Sequence, residues 1–118
     1  MISILKIQVV KILEELAREL RPEVIYTQHG GDLNIDHTIT FRAAMTAFRP
    51  VPGTDLRSLF AFEVASSTEW AFGKFASIFV PDTFVDIGSY LELKLQALAA
   101  YEREMRPFPH PRSFEAVS

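Results

Sequence analysis

At 118 residues, 48% of them apolar and ten of them phenylalanine, the chain has material for one domain with a modest core and is not a disordered sequence. Its net charge of −3, with no run of lysine or arginine, argues against a nucleic-acid or anionic-membrane partner, either of which needs a concentrated cationic surface. The absence of cysteine excludes disulfides and thiolate metal sites, so any metal must be held by His, Asp or Glu, a donor set that suits zinc in a hydrolase.

The first twenty residues are apolar enough to raise the question of a signal peptide or a membrane span. Lys6, Lys11, Glu14, Glu15, Arg18 and Glu19 interrupt them too often for either. A soluble, cytoplasmic chain is therefore expected. Leu5, Val9, Ile12, Leu13, Leu16 and Leu20 recur at helical spacing with Glu and Lys on the other face, which predicts an amphipathic helix of four to five turns. Arg21-Pro22 ends it, because the residue before a proline is pushed out of helical geometry. Glu23 to Thr27 is a short apolar run with β-branched residues and reads as a strand covered on both faces, as in a parallel sheet. A polar, glycine-bearing loop spans Gln28 to Asp36. A second helix is expected over His37 to Phe48 with Asp36 as its N-cap, stopped by Arg49-Pro50-Val51-Pro52-Gly53.

Ser58 to Ser66 predicts a second strand. Ile78 to Val80 and Phe84 to Ile87 look like short extended pieces flanking Pro81-Asp82. Ser89 and Glu92 have the spacing of a capping box that would open a last helix over Tyr90 to Met105, with Leu91, Leu95, Leu98 and Met105 as its buried stripe. Pro107, Pro109 and Pro111 predict an extended tail over residues 106–118. With no repeat and no internal linker, the chain reads as a single α/β domain with a mostly parallel sheet and flanking helices.

The segment Gly30-Gly31-Asp32-Leu33-Asn34-Ile35-Asp36-His37 sits after a strand and before a helix, where α/β sheets bind their ligands. Three readings compete for it. Asp32-x-Asn34-x-Asp36 copies the first half of an EF-hand, but His37 stands where the glycine belongs and Ala43 where the closing glutamate belongs, so calcium is rejected. Alternatively, Asp32 and Asn34 make turn hydrogen bonds and Asp36 only caps a helix. The third reading is a metal site with His37 as ligand and Asp36 as its supporting neighbour.

The run Arg21 to Thr27, then Gly31 to His37, resembles the second conserved block of PIG-L/LmbE-like zinc-dependent N-deacetylases. So do Ser66-Ser67-Thr68-Glu69-Trp70, Phe79-Val80-Pro81-Asp82 with Phe84-Val85-Asp86-Ile87, and Arg106 to Ser113. The likeness covers nearly the whole chain in the right order. It implies a Rossmann-like fold, of which this chain is the C-terminal portion, and zinc held by two histidines and an aspartate. Two of those ligands would come from a His-Pro-Asp-Asp motif and the third would be His37. The implied reaction is hydrolysis of an acetamide on an amino sugar or related N-acetylated small molecule, with the remaining aspartate of the first motif as general base.

Two departures follow from the residues. These 118 residues contain no His-Pro-Asp-Asp; the one His-Pro pair, His110-Pro111, is followed by Arg112. One zinc ligand is thus expected here, with weak or absent zinc binding and no activity from the chain alone. Where the family block often begins with a histidine this chain has Asn34, whose amide can donate to an oxyanion but cannot deliver a proton. His110 either replaces that acid or sits on a solvated tail. His29 is either a loop residue or a second weak ligand. Trp70 and the phenylalanines read as core rather than as a sugar platform, while Glu63 and Glu69 either touch substrate or form a solvated face. The central apolar strand, deprived of neighbours, predicts a homo-oligomer or a rearrangement in which the first helix covers the exposed face. The competing class is a non-catalytic truncated domain that assembles with itself or with a complementary chain.

Overall fold

The computed structural model describes residues 4–65, 67–71, 76–101 and 103–118. The chain forms two compact units, Met1–Phe79 and Val80–Ser118. The first is a small α/β unit in the order α1 (Ile4–Leu20), β1 (Val24–Gln28), α2 (Ile35–Ala47), β2 (Ser58–Phe62). β1 and β2 pair in parallel, from Val24 opposite Ser58 to Gln28 opposite Phe62, with α2 in the crossover between them. The fold is therefore mixed α/β. No helix among the described residues is long and apolar enough to cross a membrane.

α1 ends where the sequence predicts. Arg21 takes φ +47°, left-handed backbone that a helix cannot continue, and Pro22 follows. α1 packs against α2, which in turn packs against β1. The contact works because α2 presents Ala43 and Ala44, 3% and 4% exposed, small enough for another backbone to come close. On α1 the half-buried positions are Lys6, Val9, Val10, Leu13, Glu14 and Ala17. The predicted stripe is thus only partly covered. Val9 and Leu13 are half-buried, whereas Ile12, Leu16 and Leu20 are exposed, and the side chain of Leu5 lies outside the described residues.

The strand reading needs the same correction. β1 is not covered on both faces: Val24 is 45% and Tyr26 67% exposed, while Ile25 and Thr27 point the other way into half-buried and buried surroundings. The parallel register puts Tyr26 beside Phe60, and their rings stack at 5.4 Å on the uncovered face. An apolar strand thus reports a capacity for burial, and among the described residues of this unit it is α2 that uses it.

β2 stops at Phe62 rather than reaching residue 66, which lies outside the described residues. Its partner ends at Gln28, and the last bond of the pair runs from the His29 N–H to the Phe62 carbonyl at 3.0 Å. Beyond that point Glu63 and Val64 have no strand to pair with among the described residues, and the chain turns. The expected extended pieces at residues 78–80 and 84–87 likewise run without sheet partners among the described residues.

In the second unit a 3-10 turn, Gly88–Tyr90, precedes α3 (Leu91–Ala99). The predicted capping box is not formed. Ser89 lies inside the 3-10 turn, Tyr90 occupies the N-cap position, and no side chain caps the helix. The turn is set by Asp86 instead, whose carboxylate accepts the Gly88 N–H at 2.9 Å. Leu91, Leu95 and Leu98 form the expected stripe, half-buried, but the helix ends six residues before Met105.

The proline-rich tail is folded rather than extended. The His110 N–H bonds the Pro107 carbonyl at 3.1 Å, and the Ser113 N–H bonds the His110 carbonyl at 2.9 Å. Ser113, fully buried, then caps a last turn of helix, α4 (Phe114–Val117), accepting the Ala116 N–H at 3.1 Å. Prolines forbid helix and sheet ladders, but they leave carbonyls free to close turns.

Candidate active site

The loop after β1 folds around one buried carboxylate. The side chain of Asp32 is fully shielded from solvent. Its Oδ1 accepts the Asn34 N–H at 2.8 Å, an Asx turn of the kind the sequence allows. Its Oδ2 accepts the Thr68 hydroxyl at 3.3 Å and lies 3.0 Å from His37 Nδ1. That nitrogen is buried and close to the carboxylate, yet it lacks the alignment of a hydrogen bond and has no other partner among the described residues.

The turn hands the chain directly to α2. Asn34 is the N-cap, with its Oδ1 accepting the Asp36 N–H at 2.9 Å; the expected cap at Asp36 is displaced by two residues. Asp36 sits in the first turn of α2, exposed, where a negative charge complements the helix dipole. The carboxylate paired with His37 is therefore that of Asp32. Because Asn34 Oδ1 is committed to the cap, the side chain keeps its Nδ2 as donor.

His29 is held by the loop. Its Nε2 donates to the Ser77 carbonyl at 2.7 Å and its ring meets Phe79 edge-on, with centroids 5.3 Å apart. A Cβ on Gly31 would overlap that same Ser77 carbonyl, which is why glycine stands there. These residues, with Glu63, Thr68 and Glu69, line a pocket of about 350 Å³. Gly31 and Thr68 join it to the Asp32 carboxylate. A larger hollow of about 480 Å³ lies at the opposite ends of the strands, lined by Arg18, Arg21, Arg49 and Asp55 among others. It is flanked by the C-terminal turns of α1 and α2, away from the strand ends at which α/β sheets bind ligands.

Of the sequence-predicted residues, Asn34, Asp36 and His37 share the N-terminus of α2. His110 belongs to the second unit, where its Nδ1 accepts the Arg112 N–H at 3.0 Å. Glu63 and Glu69 are exposed at the pocket, and Trp70, 50% exposed, is not a core residue. Sequence reasoning missed Thr68 and Ser67. Ser67 accepts the Leu33 N–H on its carbonyl at 2.9 Å, so the turn after β2 clamps the loop after β1. The clamp joins positions 34 residues apart, and no local pattern announces it.

As a metal centre the site is partial. Zinc-ligating histidines usually donate their other ring N–H to a carboxylate; here the Asp32 carboxylate lies 3.0 Å from His37 Nδ1 but is not aligned to accept from it. Among the described residues no three His, Asp or Glu side chains come together as a ligand set. One ligand fits; a complete zinc site does not. No protein-family model matches the chain, and neither a curated protein nor a solved structure matches it.

Proposed function

We propose that this chain is the C-terminal portion of a PIG-L/LmbE-like N-deacetylase with a Rossmann-like parent fold, and that His37 is one of its zinc ligands. The observation that carries the reading is the buried Asp32 carboxylate 3.0 Å from His37 Nδ1, at the C-terminal end of a parallel strand. Holding a carboxylate out of water is costly and is unnecessary for capping a helix, which Asn34 already does. It is well spent on fixing the ring of a ligand.

Zinc, when bound, would polarise an acetamide carbonyl and acidify a water molecule. This chain's residues would orient the metal through His37 and offer the Asn34 Nδ2 amide to the developing oxyanion, with substrate entering beside Thr68 and Gly31. The general base and the other two ligands would come from a His-Pro-Asp-Asp segment. The test is complementation. Alone, the chain releases no acetate from N-acetylglucosamine. Mixed with the N-terminal half of a PIG-L/LmbE-like deacetylase, it gives zinc-dependent release that is lost in His37→Ala. Release that survives His37→Ala contradicts the assignment.

A second reading, a non-catalytic piece that functions by assembling with itself, is favoured by the apolar surface left open. Tyr26 is 67%, Leu20 68% and Ile12 57% exposed. Such a surface drives association in proportion to the apolar area it can bury. Light scattering across a dilution series separates the outcomes: a concentration-dependent homo-oligomer supports this reading, and a monomer at micromolar concentration contradicts it.

A further inference from the structure

We propose that Thr68 is a positioning residue for His37, acting through the Asp32 carboxylate; this rests on the reading of His37 as a metal ligand through Nε2. The hydroxyl is placed by its own turn. The Thr68 N–H bonds the Val64 carbonyl at 3.0 Å, and the Val64 N–H bonds Thr68 Oγ1 at 2.8 Å. That reciprocal pair fixes the side chain and occupies a lone pair of the hydroxyl oxygen. A hydroxyl has one proton to give, and the acceptor within reach is Asp32 Oδ2, at 3.3 Å. The same oxygen faces His37 Nδ1 at 3.0 Å.

The carboxylate is thereby held at both ends. The Asn34 N–H grips Oδ1 at 2.8 Å and Thr68 grips Oδ2, so rotation about the Cβ–Cγ bond is blocked with Oδ2 turned to the imidazole. Oδ2 faces Nδ1 at 3.0 Å without the alignment of a hydrogen bond, and a lone pair on Nδ1 would repel it at that distance, so the contact favours the neutral tautomer that carries its proton on Nδ1 and leaves the Nε2 lone pair for a metal. Free histidine prefers the opposite tautomer, so the preference must be imposed from outside the ring. The bond crosses from the turn after β2 to the loop after β1. Pairing of the two strands therefore sets the ligand's protonation pattern.

The imidazole ¹⁵N shifts of His37, read in the intact chain at a pH where the ring is neutral, test this. The unsubstituted chain should show the Nδ1–H form, Thr68→Ser should keep it, and Thr68→Val should shift the ring to the Nε2–H form or a mixture. Val64 also loses its acceptor in Thr68→Val, so a measurement without substitution accompanies it: the Thr68 hydroxyl proton should exchange slowly enough with water to be observed. Nδ1–H retained in a folded Thr68→Val chain, or a fast-exchanging hydroxyl in the unsubstituted one, overturns the positioning role and leaves the ligand assignment standing. An Nε2–H ring in the unsubstituted chain overturns both.

Discussion

The two ends of the β1–β2 pair use the same chemistry under opposite conditions. At the N-terminal end, Arg21 meets Asp55 at 2.6 Å and Arg57 meets Glu23 at 3.5 Å, all four side chains well exposed. At the C-terminal end Asp32 is shut away from water, with Asn34, Thr68 and His37 around it. Water screens the first set, so its geometry is dispensable. Nothing screens the second, so each partner removed from it leaves a buried polar atom unmatched. Short distance alone does not distinguish a set of contacts that the fold depends on from one that water screens; burial does.

The largest effect should come from Asp32→Ala, which strips the acceptor from the Asn34 N–H and the Thr68 hydroxyl and the facing carboxylate from His37. Loss of hydrogen bonds to a buried charge is expected to cost about 2–4 kcal/mol in denaturant unfolding. Asp32→Asn, which keeps the shape, should cost less. A loss below that for Asp32→Ala would mean that the carboxylate is not held as described. An intermediate effect is expected for Asn34→Ala, about 1 kcal/mol for a lost N-cap, whereas Asn34→Gly should cost a few tenths. Equal losses in Asp36→Ala and Asn34→Ala would place the cap wrongly.

The smallest effect belongs to the other end. Asp55→Asn should leave the melting temperature at neutral pH nearly unchanged. The Arg21 guanidinium, by hydrogen bonding first and by its charge second, holds the Asp55 carboxyl below its ordinary pKa of 3.8. The sign follows: the stabilisation is present above pH 3.8 and fades as acid takes the pH down through the lowered value. Melting curves of the variant and the unsubstituted chain should therefore nearly coincide at pH 7 and converge further in acid.

Local order was legible in the sequence where local rules decide it. The helix Ile4–Leu20, its end at Arg21-Pro22 and the strand at Val24–Gln28 follow from spacing and from one proline. The N-cap was misplaced by two residues because Asn34 and Asp36 are both good caps, and the Asx turn of Asp32 selects the first. Ser89 and Glu92 have capping-box spacing, but Asp86 forms its turn first and winds the backbone past Ser89. What could not be read were contacts across the sheet. Asp36 is adjacent to His37 and was the natural neighbour to nominate, yet helix geometry points it outward, and the loop folds Asp32 back to the ring. Thr68 reaches that carboxylate from 36 residues away.

We propose that His37 is the chain's metal-binding histidine and that it acts alone here. The most direct measurement is a titration of the chain with cobalt(II), following line broadening at His29, His37 and His110. The account predicts that His37 broadens first, at a dissociation constant far weaker than a three-ligand zinc site gives, with the effect absent in His37→Ala. Tight one-to-one binding that survives His37→Ala, or broadening that begins at His29 or His110, would contradict it.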